Sequence, residues 1–316
     1  MILEDIKKVG VVGAGTMGYG IAINFALWGY PIIMSDINDK ILQQSVKNIK
    51  SAMSLFVKEE LITDEQADDT ISRIATTTDL AKLAINSDFI TEAIIEKSTD
   101  KRKLFNQLDE LCPPHTIIVS NTSSLVLSDF GSDVNRQDKI GITHYFAPPH
   151  IVPGVEVVKG PGTSDETFDI TYSLLKKIRK IPIRVLKELP GYLLNRIQGA
   201  MSREANRLWA EGVATAEDIE LGVKSTFGFR MPHEGPMMHY DVAGIWKWPK
   251  DVRTAMSARR SNPESEISAE AAQKIQQRMA EGKPWFVDPE RFDEAIEKRD
   301  TEYARRLKDL YWTKER

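Results

Sequence analysis

The stretch Lys8-Val9-Gly10-Val11-Val12-Gly13-Ala14-Gly15-Thr16-Met17-Gly18 constrains this chain more than any other. Val9 to Val12 form a short apolar run of the kind that makes a buried strand. A turn with glycines spaced Gly13-x-Gly15-x-x-Gly18 follows, and a helical pattern then runs from Thr16 through Ile21, Phe25 and Leu27. After Gly29 comes a second strand pattern, Pro31 to Asp36. Strand, glycine turn, helix and strand in this order are a βαβ unit with a dinucleotide-binding fingerprint in its proper context.

Each residue of the fingerprint has a physical task. Gly13 permits the tight turn, Gly15 lets the backbone approach a pyrophosphate, and Gly18 lets the helix pack close to the strand. Thr16, Met17 and Gly18 open the helix, whose free N–H groups and partial positive charge suit phosphate. Asp36 stands at the end of the second strand, where a carboxylate hydrogen-bonds the adenosine ribose hydroxyls and repels a 2′-phosphate. The expected cofactor is therefore NAD rather than NADP.

The length, 316 residues, suits two domains. A formal net charge of -4 gives no support to nucleic-acid binding. Cys112 is the only cysteine, which excludes an intrachain disulfide and a thiolate metal site, and no metal is expected. The start, Met1-Ile-Leu-Glu-Asp-Ile6, has neither a basic n-region nor a long apolar run, and no stretch reads as a membrane span. The default compartment is the cytoplasm.

A long helix is expected from Asn38 on the stripe Ile41, Leu42, Val46, Ile49, Met53, Phe56, Val57 and Leu61. Thr63-Asp-Glu-Gln66 reads as a capping box for a second helix through Ile71 and Ile74. Together they read as a helical excursion projecting from the nucleotide fold. Further strands are expected from Ser87 into a loop at Glu96, at Thr116–Ser120, Ile140–Phe146, Val155–Val158 and Ile181–Leu186, with helices at Thr99–Leu111 and Asp165–Lys180. Near Glu188-Leu-Pro190-Gly191 the alternation stops, and helical patterns fill the rest. The reading is α/β: a Rossmann-type NAD-binding domain over 1–187, then an all-α substrate and dimerisation domain over 188–316. The charged tail, Arg291 to Arg316, reads as a solvated helix.

A nicotinamide dehydrogenase needs a general base for the alcohol proton, and histidine suits the role because it titrates near neutral pH. The candidates are His115, His144, His150, His233 and His239. His115 lies in a turn beside a proline pair, and His233 and His239 lie in a loop of the second domain. His144 alone stands at a strand end of the nucleotide domain, with Glu156 expected beside it on a neighbouring strand.

Five motifs follow one another in order: Val12-Gly-Ala-Gly-Thr-Met-Gly18, Glu92-Ala-Ile-Ile-Glu96, Ser120-Asn-Thr-Ser-Ser124, His144-Tyr-Phe-Ala-Pro148 and Pro190-Gly-Tyr-Leu-Leu-Asn-Arg196. This succession resembles the L-3-hydroxyacyl-CoA dehydrogenase family over roughly residues 5–245. The resemblance implies an NAD-binding domain followed by a helical domain that makes a homodimer. It implies His144 as the base, Glu156 as the group that orients and charge-stabilises it, and Ser123 and Asn195 as the holders of the substrate oxygen. Glu96 and Lys101 are implied as further cofactor contacts.

Three departures bear on the substrate. The family usually has asparagine where this chain has Ala147. The helix that would meet coenzyme A ends in Lys58-Glu59-Glu60, and the chain continues beyond the usual close through Trp285 to Arg316. These features, with Lys187 to Gln198 and the charged tail, look closer to the branch holding L-gulonate 3-dehydrogenase (lambda-crystallin) and carnitine dehydrogenase, which act on small free 3-hydroxy acids. Arg203, Arg207, Arg230 and Lys247 are then candidate carboxylate-binding cations, and Trp246-Lys-Trp248 and Arg230–His233 candidate pocket walls. The alternatives are a dehydrogenase of short acyl-CoA thioesters and an NAD-binding scaffold without turnover.

Overall fold

The computed structural model describes residues 2–260, 273, 277 and 280–307. The chain divides into two compact units, Met1–Ser202 and Arg203–Arg316.

The first unit is built on β1 (Val9–Val12), β2 (Ile32–Ser35), β3 (Ile74–Thr77), β4 (Phe89–Glu92), β5 (Ile117–Ser120), β6 (Ile140–Tyr145), β7 (Gly154–Val158) and β8 (Ile181–Val185). They form one sheet in the order β3-β2-β1-β4-β5-β6-β7-β8. The pairings from β3 through to β6 are parallel. The β6–β7 pair is antiparallel and β8 runs parallel to β7. Helices α1 (Gly18–Leu27), α2 (Asp39–Lys58), α3 (Asp64–Ser72), α4 (Leu80–Ala84), α5 (Ser98–Leu111) and α6 (Asp165–Lys177) connect the strands, and α7 (Leu194–Ala210) follows.

Parallel strands covered on both faces read as continuous apolar runs, which is why Val9–Val12 and Ile117–Val119 show no polar alternation. Their side chains still alternate between two cores. Val9 and Val11 pack with Phe25, Leu42 and Phe168, whereas Val12, Ile90, Ile118 and Ile142 pack with Leu104, Phe105 and Phe130. From β1 the chain builds β2 and β3 on one side and returns to β4 on the other. That reversal makes the β1/β4 boundary a switch point, the place where open α/β sheets bind ligands beyond the strands' carboxyl ends.

Two expectations are corrected here. The segment from Asp39 to Ser72 does not project. Leu42, Ile49, Met53 and Phe56 of α2 are buried in the sheet core, and α2 and α3 pack on α1 and each other. An apolar stripe of that width is stable only when covered. Ile74 belongs to β3 and not to a helix: Ile74-Ala-Thr-Thr77 pairs with β2 as the sheet's edge strand, a conformation its β-branched residues favour. The short helix α4, capped by Asp79 accepting from the Lys82 N–H, was also not foreseen.

Among the described residues the second unit is all helical. Thr215 caps α8 (Ala216–Ser225) by accepting from the Asp218 N–H. Farther on, the buried Asp241 carboxylate accepts from the N–H groups of Trp285, Phe286 and Val287 and ties that segment down. Trp246 meets Phe292 edge-on at 5.9 Å. Of the charged tail, Phe292–Leu307 is helical, and residues 308–316 lie outside the described residues. Among the described residues no helix is long and apolar enough to cross a membrane.

Candidate active site

Beyond the carboxyl ends of β1, β2, β4 and β5 the first unit gathers polar groups. Gly13 has φ +95°, and a Cβ there would stand 2.5 Å from the Ala93 carbonyl oxygen. A Cβ on Gly18 would stand 1.7 Å from the Gly13 carbonyl oxygen, so glycine lets α1 close on the turn. Gly15 differs: a Cβ there would meet no atom of the chain within 4 Å, so nothing in the fold requires glycine. That open space leaves the Gly15 backbone accessible from outside the fold. Met17 precedes α1 without a side-chain cap, which leaves the first-turn N–H groups to an outside acceptor, and Thr16 beside it is exposed. Asp36, just past β2, accepts from the Ala14 N–H at 2.8 Å, which joins this carboxylate to the glycine turn. These residues fit NAD.

A second cluster lies past β4 and β5. The Lys101 ammonium is buried, 2.7 Å from Glu92 Oε1 and 3.3 Å from Glu96 Oε2. Ser120 donates to Glu92 Oε2 at 2.5 Å, and the Ile94 N–H to Oε1 at 2.7 Å. Burial pushes the Glu92 carboxyl upward against the pull of Lys101. Glu96 Oε1 accepts from the Thr122 hydroxyl at 2.5 Å and from the Ser123 and Ser124 N–H groups at 2.8 and 3.1 Å. Burial acts to raise its pKa, but these bonds and Lys101 outweigh it and hold Glu96 at about 2. Glu96 thus shapes the Asn121–Ser124 loop that presents Ser123.

The third cluster follows from strand register. His144 on β6 and Glu156 on β7 are direct partners, and His144 Nδ1 lies 2.7 Å from Glu156 Oε2. A carboxylate only accepts, so Nδ1 carries the hydrogen, and in the neutral imidazole the lone pair is then on Nε2. Both groups are buried. The other oxygen, Oε1, accepts from the Leu193 and Leu194 N–H groups, each at 2.9 Å, at the start of α7. One residue on, Asn195 Nδ2 donates to the Ser123 carbonyl at 3.0 Å. His144, Glu156, Asn195 and Ser123 are therefore joined in one network within the first unit. Phe146 and Tyr192 flank the imidazole at 4.5 and 5.4 Å between ring centroids.

Sequence reasoning missed Glu92, Tyr192 and Lys180. Glu92 reads as the end of an apolar strand, although an acid in such a run is itself a signal of pairing. Lys180 is buried, and its ammonium donates to the carbonyls of Pro149 at 2.6 Å and Val152 at 3.0 Å, pinning the loop that follows His144. Burial lowers its pKa to about 8.

The four candidate cations belong to the second unit. Arg203 is exposed, and Arg207 pairs with Glu204 and Glu211 on its own helix. Arg230 lies 3.4 Å from both ring nitrogens of His239, whose Nδ1 is 2.8 Å from the buried Glu234. The Lys247 ammonium lies 3.5 Å from the Phe292 ring centroid. His115 is at the surface, bonded to Asp88.

Comparison with known proteins identifies the family. The profile of the 3-hydroxyacyl-CoA dehydrogenase NAD binding domain matches residues 8–189, and that of the family's C-terminal domain matches residues 191–285. Human mitochondrial hydroxyacyl-coenzyme A dehydrogenase is 36% identical over 245 residues, covering 76% of this chain and 77% of its own. Rabbit (Oryctolagus cuniculus) lambda-crystallin is 32% identical over 307 residues, covering 95% of each. Among solved structures, (S)-3-hydroxybutyryl-CoA dehydrogenase from Ralstonia eutropha superimposes with a TM-score of 0.68 at 30% identity, covering 86% of this chain and 94% of its own. Fingerprint, fold and these matches together place the chain in the 3-hydroxyacyl-CoA dehydrogenase family, as an NAD-dependent oxidoreductase acting on CH–OH groups.

Proposed function

We propose that this dehydrogenase oxidises the secondary alcohol of a small, free 3-hydroxy acid, or reduces the corresponding 3-keto acid, with His144 as the acid–base group. The observation that carries the chemistry is the buried His144–Glu156 pair, its Nε2 free to take a proton. In this reading the hydroxyl proton passes to His144 Nε2, and Glu156 supports the imidazolium that forms. Ser123 and Asn195, adjoining through the Ser123 carbonyl, hold the reacting oxygen. NAD, when bound, would supply the hydride acceptor. Gly13, Gly15 and the start of α1 would hold its pyrophosphate, Asp36 its adenosine ribose, and Glu96, with Lys101 behind it, the other half.

The preference for a free acid rests on other features. The lambda-crystallin match extends over nearly the whole of both chains, through the region beyond residue 285 where the family profiles end. The exposed Lys58-Glu59-Glu60 end of α2 adds acidic charge where a coenzyme A site would offer cations. The second reading is a short acyl-CoA thioester as substrate, favoured by the 36% identity to the human enzyme. Oxidation of a panel of free 3-hydroxy acids, assayed beside acetoacetyl-CoA reduction, decides between them. Higher kcat/KM for the thioester would overturn the first reading, and NADH binding without turnover across the panel would leave a scaffold. We further propose a homodimer, which the exposed apolar residues on the helices of the C-terminal half support.

A further inference from the structure

We propose that Tyr192 is a positioning residue that fixes the spacing between the base and the loop that holds the reacting oxygen. The inference rests on the reading of His144 as base and Ser123 as oxygen holder.

Three attachments meet at this side chain. Its backbone is left-handed, φ +47°, directly after Gly191 at φ +76°. Two successive left-handed residues reverse the chain, and this reversal delivers the Leu193 and Leu194 N–H groups to Glu156 Oε1. Its ring is fully buried and packs beside His144. Its hydroxyl donates to the Leu125 carbonyl, two residues beyond Ser123. The base side of the site and the oxygen side are thus tied to the same tyrosine, one through Glu156 and the other through the loop. Left-handed backbone disfavours a bulky L-residue, so a tyrosine persists there only where its surroundings over-determine it. Burial raises the pKa of the phenol, which keeps its hydrogen available for donation. Ring packing and chain reversal need only the ring and the backbone. The hydroxyl adds the link from this turn to the loop, to the Leu125 carbonyl and the Thr122 side chain.

Tyr192→Phe keeps the ring and removes that link. Four measurements on the full-length protein test the idea: kcat, NADH affinity by fluorescence titration, melting temperature, and hydrogen exchange at the Leu193 and Leu194 amides. The expected result is a fall in kcat of about tenfold or more, since small misplacements in a site are expensive in rate. NADH affinity should stay within about twofold, because the glycine turn is untouched. Exchange at Leu193 and Leu194 should quicken. Wild-type kcat, or lowered kcat with unchanged exchange, would overturn the proposal, as would a fall in melting temperature with kcat per folded molecule unaltered. His144→Ala run in parallel separates the two ideas. If it retains turnover, the base assignment fails, and the exchange data still judge Tyr192.

Discussion

Exchanging Glu156 for glutamine keeps the side chain's shape but leaves it one accepting oxygen instead of two. Either the His144 Nδ1–H or the Leu193 and Leu194 N–H groups must then face an amide NH2, a donor against a donor. Turnover should fall with the lost support for imidazolium, and exchange at Leu193 and Leu194 should rise in the same variant. His144→Ala should reduce kcat by about 10²–10⁴-fold, the usual contribution of a positioned acid–base group, while NADH fluorescence titrations stay as in wild type. Near-normal turnover would move the base to another residue. Asp36→Ala should narrow the advantage of NAD over NADP, and faster wild-type turnover with NADP would overturn that assignment. The His144–Glu156 pair was legible because two short apolar runs flank a proline-rich loop, and antiparallel pairing then sets 144 opposite 156. Tyr192 was not legible, because a left-handed tyrosine has no sequence signature beyond the glycine before it.

The element that carries the fingerprint makes a paired prediction. Gly18→Ala drives a methyl into the Gly13 carbonyl and should destabilise the fold by at least the ~1–3 kcal/mol typical of overpacking. Gly15→Ala meets open space, so its melting temperature should match wild type while its NADH affinity falls. Equal losses of stability in the two variants would mean that Gly15 serves the fold rather than the cofactor. The Asn121–Ser124 loop makes a prediction in pH. Glu96 is held at about 2 against an ordinary 4.5, so its charged form stabilises the folded chain above 4.5. As pH falls from 4.5 toward 2, the unfolded chain binds the proton first and that stability is lost. Chemical denaturation between pH 6 and pH 3 should show a shallower acid dependence for Glu96→Gln than for wild type; identical slopes would remove Glu96 as the cause. Elements of this kind differ in how far sequence reveals them. The β1–turn–α1 unit was readable because glycine spacing, strand and helix agree. β3 was hidden because two exposed and two half-buried residues on a sheet edge carry no alternating period. α2 was recognised as a helix but misplaced, since its stripe states that a face is covered without saying by what.

At the scale of the whole molecule, the change from alternating strands and helices to helices alone was enough to divide the chain in two. The family profiles adjoin at residues 189 and 191, and the compact units divide at Ser202, inside α7. Alternation records where sheet building stops, whereas a compact unit also includes whatever packs on it, and the first turns of α7 are held to the sheet by Glu156. Association is the property that periodicity alone leaves open. Leu193, Ile197 and Met201 recur every fourth residue at the start of α7 and are 42%, 50% and 40% exposed. In the second unit Trp209, Val213 and Leu221 are 59–64% exposed. Exposed apolar side chains of this size, where they adjoin, make the kind of surface that the proposed homodimer would cover. A stable interface of that kind buries about 1,200–2,000 Å² in total. A homodimer should therefore scatter light with twice the 35.7 kDa mass of the chain at micromolar concentration. Its melting temperature should rise with protein concentration, because association stabilises the folded form by mass action. Leu221→Asp, at a position 64% exposed, should shift the population toward monomer without unfolding it. A wild-type monomer mass across that concentration range, with a melting temperature independent of concentration, would leave these residues as ordinary exposed surface and remove the dimer from the proposal.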